Sequence, residues 1–242
     1  MTEDSTRRLP PAAPQWPDWI AKLATQARDP RLKAFYDAGC VTPETPMTEV
    51  PLVAMDFETT GLDPNQHSIV SIGLIPLSLN RIYNRDARHW VVRPPLPLHQ
   101  HSITFHGITH ADIDQAPDLS DILDELLPAL AGKVVVVHHR GIERPFLDVA
   151  LKWRLNEGIR FPVIDTMAIE AHLHPHRMPG WFQRLRGQRP ISIRLADARA
   201  RYGLPHYTPH HALTDALASA ELLQAQIQHH FGPHTPVDAL WY

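Results

Sequence analysis

Cysteine is the scarcest chemistry in this chain of 242 residues, with Cys40 standing alone. One thiol allows no intrachain disulfide and no cysteine-rich zinc site, so a reducing compartment is expected. An excess of one charge sign is also missing: 23 lysines and arginines stand against 26 aspartates and glutamates, a formal net charge of −3. A nearly neutral chain does not coat duplex DNA by bulk electrostatics. Nucleic acid as a substrate stays open, because bound divalent cations supply positive charge locally. The opening MTEDSTRRLPPAAP has no apolar signal core, and no apolar run is long enough to span a bilayer. A soluble, cytoplasmic protein without a membrane partner is the expectation. No internal repeat is present. The 17 histidines are numerous, but most stand singly or in polar loops, where solvent exposure is the simplest reading.

What is present divides into three parts. Residues 1–48 read as an N-terminal extension. Prolines 10, 11, 14 and 17 stiffen its start, and WPDWIAKLATQA places Trp16, Trp19, Ile20, Leu23 and Ala24 at helical spacing. Such a helix either packs on the outside of the main domain or docks a protein partner. Residues 49–230 form the main domain, and 231–242 a short tail. PLVAMDFE and HSIVSIGLIPLS read as strands around a turn-rich TTGLDPNQ, with RHWVVRP as a third. DLSDILDELLPALAG has an apolar helical face and a glycine stop. KVVVVHH is short and β-branched, as a buried parallel strand should be. ERPFLDVALKWRLNEG reads as a helix, FPVIDT as a strand, and MAIEAHL, RLADARARYG and HALTDALASAELLQAQIQHHF as helices. This order predicts an α/β fold with a mixed sheet, antiparallel early and parallel late, flanked by helices.

Three places carry chemistry. Asp56 and Glu58, two residues apart on a strand, project from one face. Two such acids at the end of a buried strand repel each other unless a cation lies between them, although a solvated acid pair is the simpler alternative. The glycine turn of Thr59, Thr60, Gly61 and Leu62 lets a ligand approach backbone and hydroxyl groups. In PHHALTDALASA, Pro209 favours a helix starting near His210, which leaves that histidine at the entrance and Asp215 in the second turn. A loosely held histidine beside a carboxylate suits a general base; a capping histidine and a salt-bridged aspartate fit the same residues. In VVVVHHRGIERPFL, Glu143 reads either as a charge opening a helix or as a metal ligand. Arg140 or Arg144 is positioned to pair with it, and Asp148 and Asp165 are nearby competitors.

Taken together and in order, these motifs resemble the DnaQ-like, DEDD-type 3′–5′ exonucleases in the branch with a histidine base. The family's D-x-E-T-T-G stands here as Asp56 to Gly61. Its H-N-A-x-F-D-x-x-F-L is matched by His138 to Leu147, with Glu143 in the place of the aspartate. Its H-R-A-L-x-D-A is matched by His210 to Ala216, and FHGITHADIDQAPDL from Phe105 is similar to its H-G-I-T stretch. The resemblance covers about residues 49–230. It implies an RNase H-like fold and hydrolysis at the 3′ end of DNA or RNA, releasing nucleoside monophosphates. Asp56, Glu58, Glu143 and Asp215 would hold two Mg²⁺ or Mn²⁺ ions roughly 3.5–4 Å apart, with His210 as general base. Thr59, Thr60, Gly61, Leu62 and His106 would line the site of the terminal nucleotide.

Between His172 and Arg201, arginines 177, 184, 186, 189, 194, 199 and 201 with Trp181 and Phe182 suit a single strand, through phosphate contacts and stacking; a solvated surface fits them equally well. Two other classes of function stay open. A non-catalytic nucleic-acid-binding module would follow from loss of the fourth carboxylate. A proofreading subunit would need a polymerase-binding tail, and only HFGPHTPVDALWY follows the last helix. The oligomeric state is not legible.

Overall fold

The computed structural model of the chain describes residues 15–95, 107–176 and 190–242. Six strands form one sheet: β1 (Leu52–Thr59), β2 (Ile69–Ser78), β3 (Arg81–Ile82), β4 (Arg88–Val91), β5 (Val134–Val137) and β6 (Val163–Asp165). The order is β3-β2-β1-β5-β6, with β4 also paired to β2. β2 runs antiparallel to β1, β3 and β4, whereas β1–β5 and β5–β6 are parallel. This is the expected mixed sheet. All four valines of β5 are fully buried, which requires cover on both faces and explains why that strand carries no polar residue.

The cover comes from α1 (Trp16–Gln26), α2 (Pro30–Asp37), α3 (His110–Asp114), α4 (Leu119–Leu130), α5 (Arg140–Leu155), α6 (Thr166–Leu173), α7 (Leu195–Arg201) and α8 (Ala212–Gln226). α4 buries Leu119, Ile122, Leu123, Leu126, Leu127 and Leu130, and Asp118 opens it with a capping box closed by Asp121. α8 lies across β1 and β2. Three elements escape the sequence patterns: β3 and α3, which are short, and α2, which Asp29 caps through the Arg31 N–H. α5 begins at Arg140 rather than at Glu143, putting Glu143 in its first turn.

The N-terminal extension and the C-terminal tail share the main core. Trp16, Ile20, Leu32, Phe35 and Tyr36 belong to the same buried cluster as the sheet, and so do Leu240 and Trp241. The Trp16 indole N–H donates to the Tyr242 carbonyl at 2.9 Å. Tyr242 N–H donates to Val163 O at 2.8 Å, continuing the sheet beyond β6. Met47 N–H donates to Thr235 O at 2.9 Å, tying extension to tail. Of the two readings of the first helix, the described residues match packing on the domain; residues 1–14 lie outside them.

Two contacts set the geometry of the site. A Cβ on Gly73, in the middle of β2, would fall 2.2 Å from the Ala212 carbonyl carbon and 2.3 Å from Leu213 N. The first turn of α8 therefore rests on bare backbone. Elsewhere Arg154 on α5 grips both oxygens of Asp118 at 2.7 Å each, locking α5 to the start of α4.

Replacing Gly73 with Ala should cost about 1–3 kcal/mol, the usual penalty of overpacking, read as a lower midpoint in thermal unfolding. Arg154 holds the Asp118 carboxyl well below the usual carboxylate range. A depressed folded pKa stabilises above the unfolded value near 4 and is lost as pH falls through the folded value. Arg154→Met should therefore cost about 1 kcal/mol at pH 7, after discounting for partial exposure. The gap to the parent should narrow steadily as pH falls below about 5 in urea titrations.

Candidate active site

β1 ends at the edge of the helical layer. Met55 and Phe57 point into the core, while Asp56 and Glu58 on the opposite face are only partly buried. Across the ladder Asp56 faces Gly73, and Gly73 faces His89 on β4. Glu58 faces Ser71, and a register irregularity follows between Glu58 and Thr59. Because directly opposed residues share a face, the glycine that admits α8 lies beside Asp56, and α8 brings its own acid to the pair.

That acid is Asp215. α8 starts at Ala212 with His211 as N-cap, so Asp215 lies in the first turn and His210 stands outside the helix. This corrects the expected start near His210. The reason is local: His210 has φ 72°, a left-handed conformation that cannot belong to a right-handed helix. His210 N–H instead donates to Asp215 Oδ2 at 2.8 Å, and the His211 ring accepts from Thr214 N–H at 3.4 Å. Ligand atoms of Glu58, His210 and Asp215 all lie within 4.8 Å of one another.

Glu143 approaches from α5. It is 3% exposed, and its Oε2 has no hydrogen-bond partner. Neither neighbouring arginine pairs with it. Arg140 binds Asp165 Oδ2 at 2.9 Å and lies 3.7 Å from the Tyr242 ring centroid. Arg144 donates to the carbonyls of Phe161 and Tyr242. The competing acids are committed elsewhere. Asp165 Oδ1 caps α6 through Met167 and Ala168 N–H while its Oδ2 also accepts from Arg140 N–H. Asp148 is matched by Lys152, Arg160 and Ile159 N–H. Glu143 alone among these three acids keeps a buried oxygen unengaged.

The electrostatics follow from this crowding. Burial, then the charges of Glu143, Asp215 and Glu58, raise Asp56 well above the usual carboxylate range. Burial and Asp215 push Glu58 up to about 7. Burial also raises Glu143, with Asp165 adding to it against the pull of its own backbone N–H. Asp215 is raised by burial against the opposing pull of His210. Four acids each held above their ordinary values, one with an orphaned oxygen, form a donor set of hard oxygens that fits Mg²⁺ or Mn²⁺. An unpaired buried carboxylate is otherwise costly.

The turn after β1 borders this cluster. Thr59 Oγ1 donates to Gly61 O at 2.7 Å, and Ser68 N–H donates to Thr60 Oγ1 at 3.0 Å. The His67 ring lies against Gly61, where any Cβ would come within 2.3 Å of it. Leu62 is 81% exposed at the tip. His106 lies outside the described residues, as do Arg177, Arg184, Arg186, Arg189, Trp181 and Phe182. Two of the remaining arginines are engaged internally. Arg199 is buried against Ala218 O and Glu221, and Arg201 binds Glu170 and Ser192 O. They hold α7 to its neighbours instead of facing a strand. The sequence reading passed over Gly73, Ser71 and His89; a lone glycine inside an apolar strand was the one available signal.

Residues 53–223 match the model of the exonuclease family RNase_T. The chain is 28% identical over 170 residues to a PolC-type DNA polymerase III of Thermotoga petrophila, covering 70% of this chain and 11% of that one. It is 27% identical over 134 residues to the DNA polymerase III subunit epsilon of Rickettsia prowazekii, covering 53% of this chain and 58% of that one. The chain thus spans about a tenth of the first relative and just over half of the second. The fold is similar to the nuclease domain of 3′hExo, a DEDDh family member bound to rAMP, with TM-score 0.60, 18% identity, and coverage of 74% and 92%. With the motifs in order and the sheet in this topology, the chain belongs to the RNase_T exonuclease family, within the DnaQ-like DEDD group.

Proposed function

We propose that this protein is a metal-dependent 3′–5′ exonuclease that removes nucleoside monophosphates from DNA or RNA 3′ ends. The observation that carries the reading is convergence: Asp56 and Glu58 from β1, Glu143 from α5 and Asp215 from α8 come close enough at one end of the sheet that the other three charges raise the Asp56 carboxyl, and Glu58 and Asp215 bring ligand atoms within 4.8 Å of each other. These four would hold two divalent cations, which supply charge neutralisation of the scissile phosphate and a water of lowered pKa. Glu143 carries one methylene more than aspartate, and starting α5 at Arg140 places it in the first turn with a free buried oxygen.

His210 is the proposed base. It is exposed and within ligand distance of Glu58 and Asp215, so it meets water and substrate while its backbone is pinned by Asp215. A neutral imidazole there accepts a proton from the attacking water and releases it to solvent. The turn at Thr60, Gly61 and Leu62 would receive the terminal nucleotide, with the exposed Leu62 against the base. A protein partner remains part of the proposal only through its polymerase-associated relatives. Among the described residues, no helix is long and apolar enough to cross a membrane.

Labelled single-stranded DNA and RNA of matched sequence, incubated with Mg²⁺ or Mn²⁺, test the activity. Asp56→Ala and Asp215→Ala should each abolish trimming; equal trimming by the variants, or none by the parent, ends the proposal. Glu143→Gln should raise the melting temperature in chelator, since an orphaned buried carboxylate is removed. The same change should lower Mn²⁺ binding in calorimetry and trimming rate by at least tenfold, whereas Glu143→Asp retains both. If Glu143→Gln leaves metal binding untouched, this acid is only a helix charge. His210→Gly should match or exceed parental stability by up to about 1 kcal/mol, because glycine accepts φ 72° freely, yet lose most of its rate.

A further inference from the structure

The proposed base stands on a segment with little regular structure of its own, between α7 and α8. His210 is left-handed at φ 72°, and such a conformation in a non-glycine residue persists only where the surroundings impose it. Asp215 secures its N–H. The next residue, His211, is gripped from a different direction. Its ring lies 4.7 Å from the His89 ring, tilted by 33°. His89 Nε2 in turn is 2.7 Å from Ser71 Oγ, and Ser71 is 1% exposed, facing Glu58 across the ladder. One residue further on, the Ala212 backbone rests on Gly73, whose partners across the sheet are Asp56 and His89. A chain of contacts therefore runs from the buried sheet through Ser71, His89 and His211 to the residue beside the base.

We propose that His89 is a positioning residue for His210: anchored by Ser71, its ring backs His211 and fixes where the base stands relative to Glu58 and Asp215. The inference rests on the exonuclease reading. The 4.7 Å between the ring centroids is within the contact range of aromatic pairs. The anchor is a hydrogen bond to a hydroxyl that would lose its side-chain partner if His89 were removed. The pair also immobilises His211 in the orientation in which its Nδ1 accepts the Thr214 N–H, capping α8. Without His89, His211 is free to leave the cap, and His210 loses a flanking restraint. Displacement of a reacting group by about an ångström costs up to a hundredfold in rate.

The test is a double-mutant cycle in the full chain. Single-turnover cleavage of a 3′-labelled oligonucleotide with Mn²⁺ is measured for the parent, His89→Ala, His210→Ala and the double variant. His89→Phe, which keeps a ring for His211, is measured beside them. His89→Ala should lower the rate at saturating oligonucleotide about tenfold with KM and Mn²⁺ binding unchanged, and His89→Phe should recover most of it. In the His210→Ala background, His89→Ala should have no further effect. An equal loss in that background, or a rise in KM with unchanged kcat, overturns the proposal, the latter by making His89 a substrate contact. Amide hydrogen exchange over residues 206–214 provides a readout independent of turnover. It should quicken in His89→Ala and stay parental in His89→Phe, and unchanged exchange in His89→Ala refutes the restraint. A parent that cleaves nothing would overturn the exonuclease reading, and the exchange result would still decide whether His89 holds the loop.

Discussion

The contact on which the site depends is the seating of α8 on Gly73. A helix normally stands off a sheet by the thickness of two side-chain layers; here one layer is missing at a single position. The first turn of α8 drops onto the backbone of β2, next to the strand that carries Asp56. That approach lets the short Asp215 side chain join acids from β1, and it leaves the residues just before the helix, including His210, suspended over the same edge. Any larger residue at position 73 would lift the acid and the histidine together. The geometry of this edge is thus built from a side chain that is absent.

The acids so assembled oppose the stability of the fold that gathers them. Burial raises all four carboxyls, with the other three acids adding to Asp56 and Asp215 adding to Glu58, and Glu143 keeps an oxygen without a partner inside the protein. The surrounding structure holds them in place through interactions of the opposite kind. Asp165 joins the starts of α5 and α6, Arg140 lies between Asp165 and Tyr242, and Arg144 reaches the tail. These fully engaged groups fix the N-terminal turn of α5 and hence Glu143. The contrast is chemical: Asp165 and Asp148, engaged on both oxygens, hold the frame, whereas Glu143 keeps one oxygen free.

The same logic assigns the flanking segments. Trp16 from the extension and Tyr242 from the tail meet by a hydrogen bond beside Arg144, so the ends of the described chain brace the helix that carries Glu143. The arginines of α7 behave similarly. Arg199 and Arg201 neutralise Glu221 and Glu170, and through Pro205 O the first of them reaches the segment leading to His210. These two charges, which looked available for nucleic acid in the linear sequence, are consumed by packing.

Much of this was legible without coordinates. Period-two and period-3.6 patterns marked most strands and helices, four valines marked the central strand, and the ordered motifs singled out Asp56, Glu58, His210 and Asp215 as candidates. Of the missed elements, β3 and α3 are too short to hold a period, and α2 lies in the extension where only the first helix was read; the start of α8 was misplaced because His210 stands outside the helix with its N–H on Asp215. Sequence alone left Glu143, Asp148 and Asp165 as rival carboxylates, since the choice depends on which partners reach each one in space. It was likewise silent on Ser71, His89 and Gly73, distant along the chain from His211 yet adjacent across the sheet. Local pattern determined the elements and the types of residue at the site. Tertiary contact decided which acid is left unpaired and how the histidine is held, because hydrogen-bond partners and close backbone approach exist only once the strands and helices are packed.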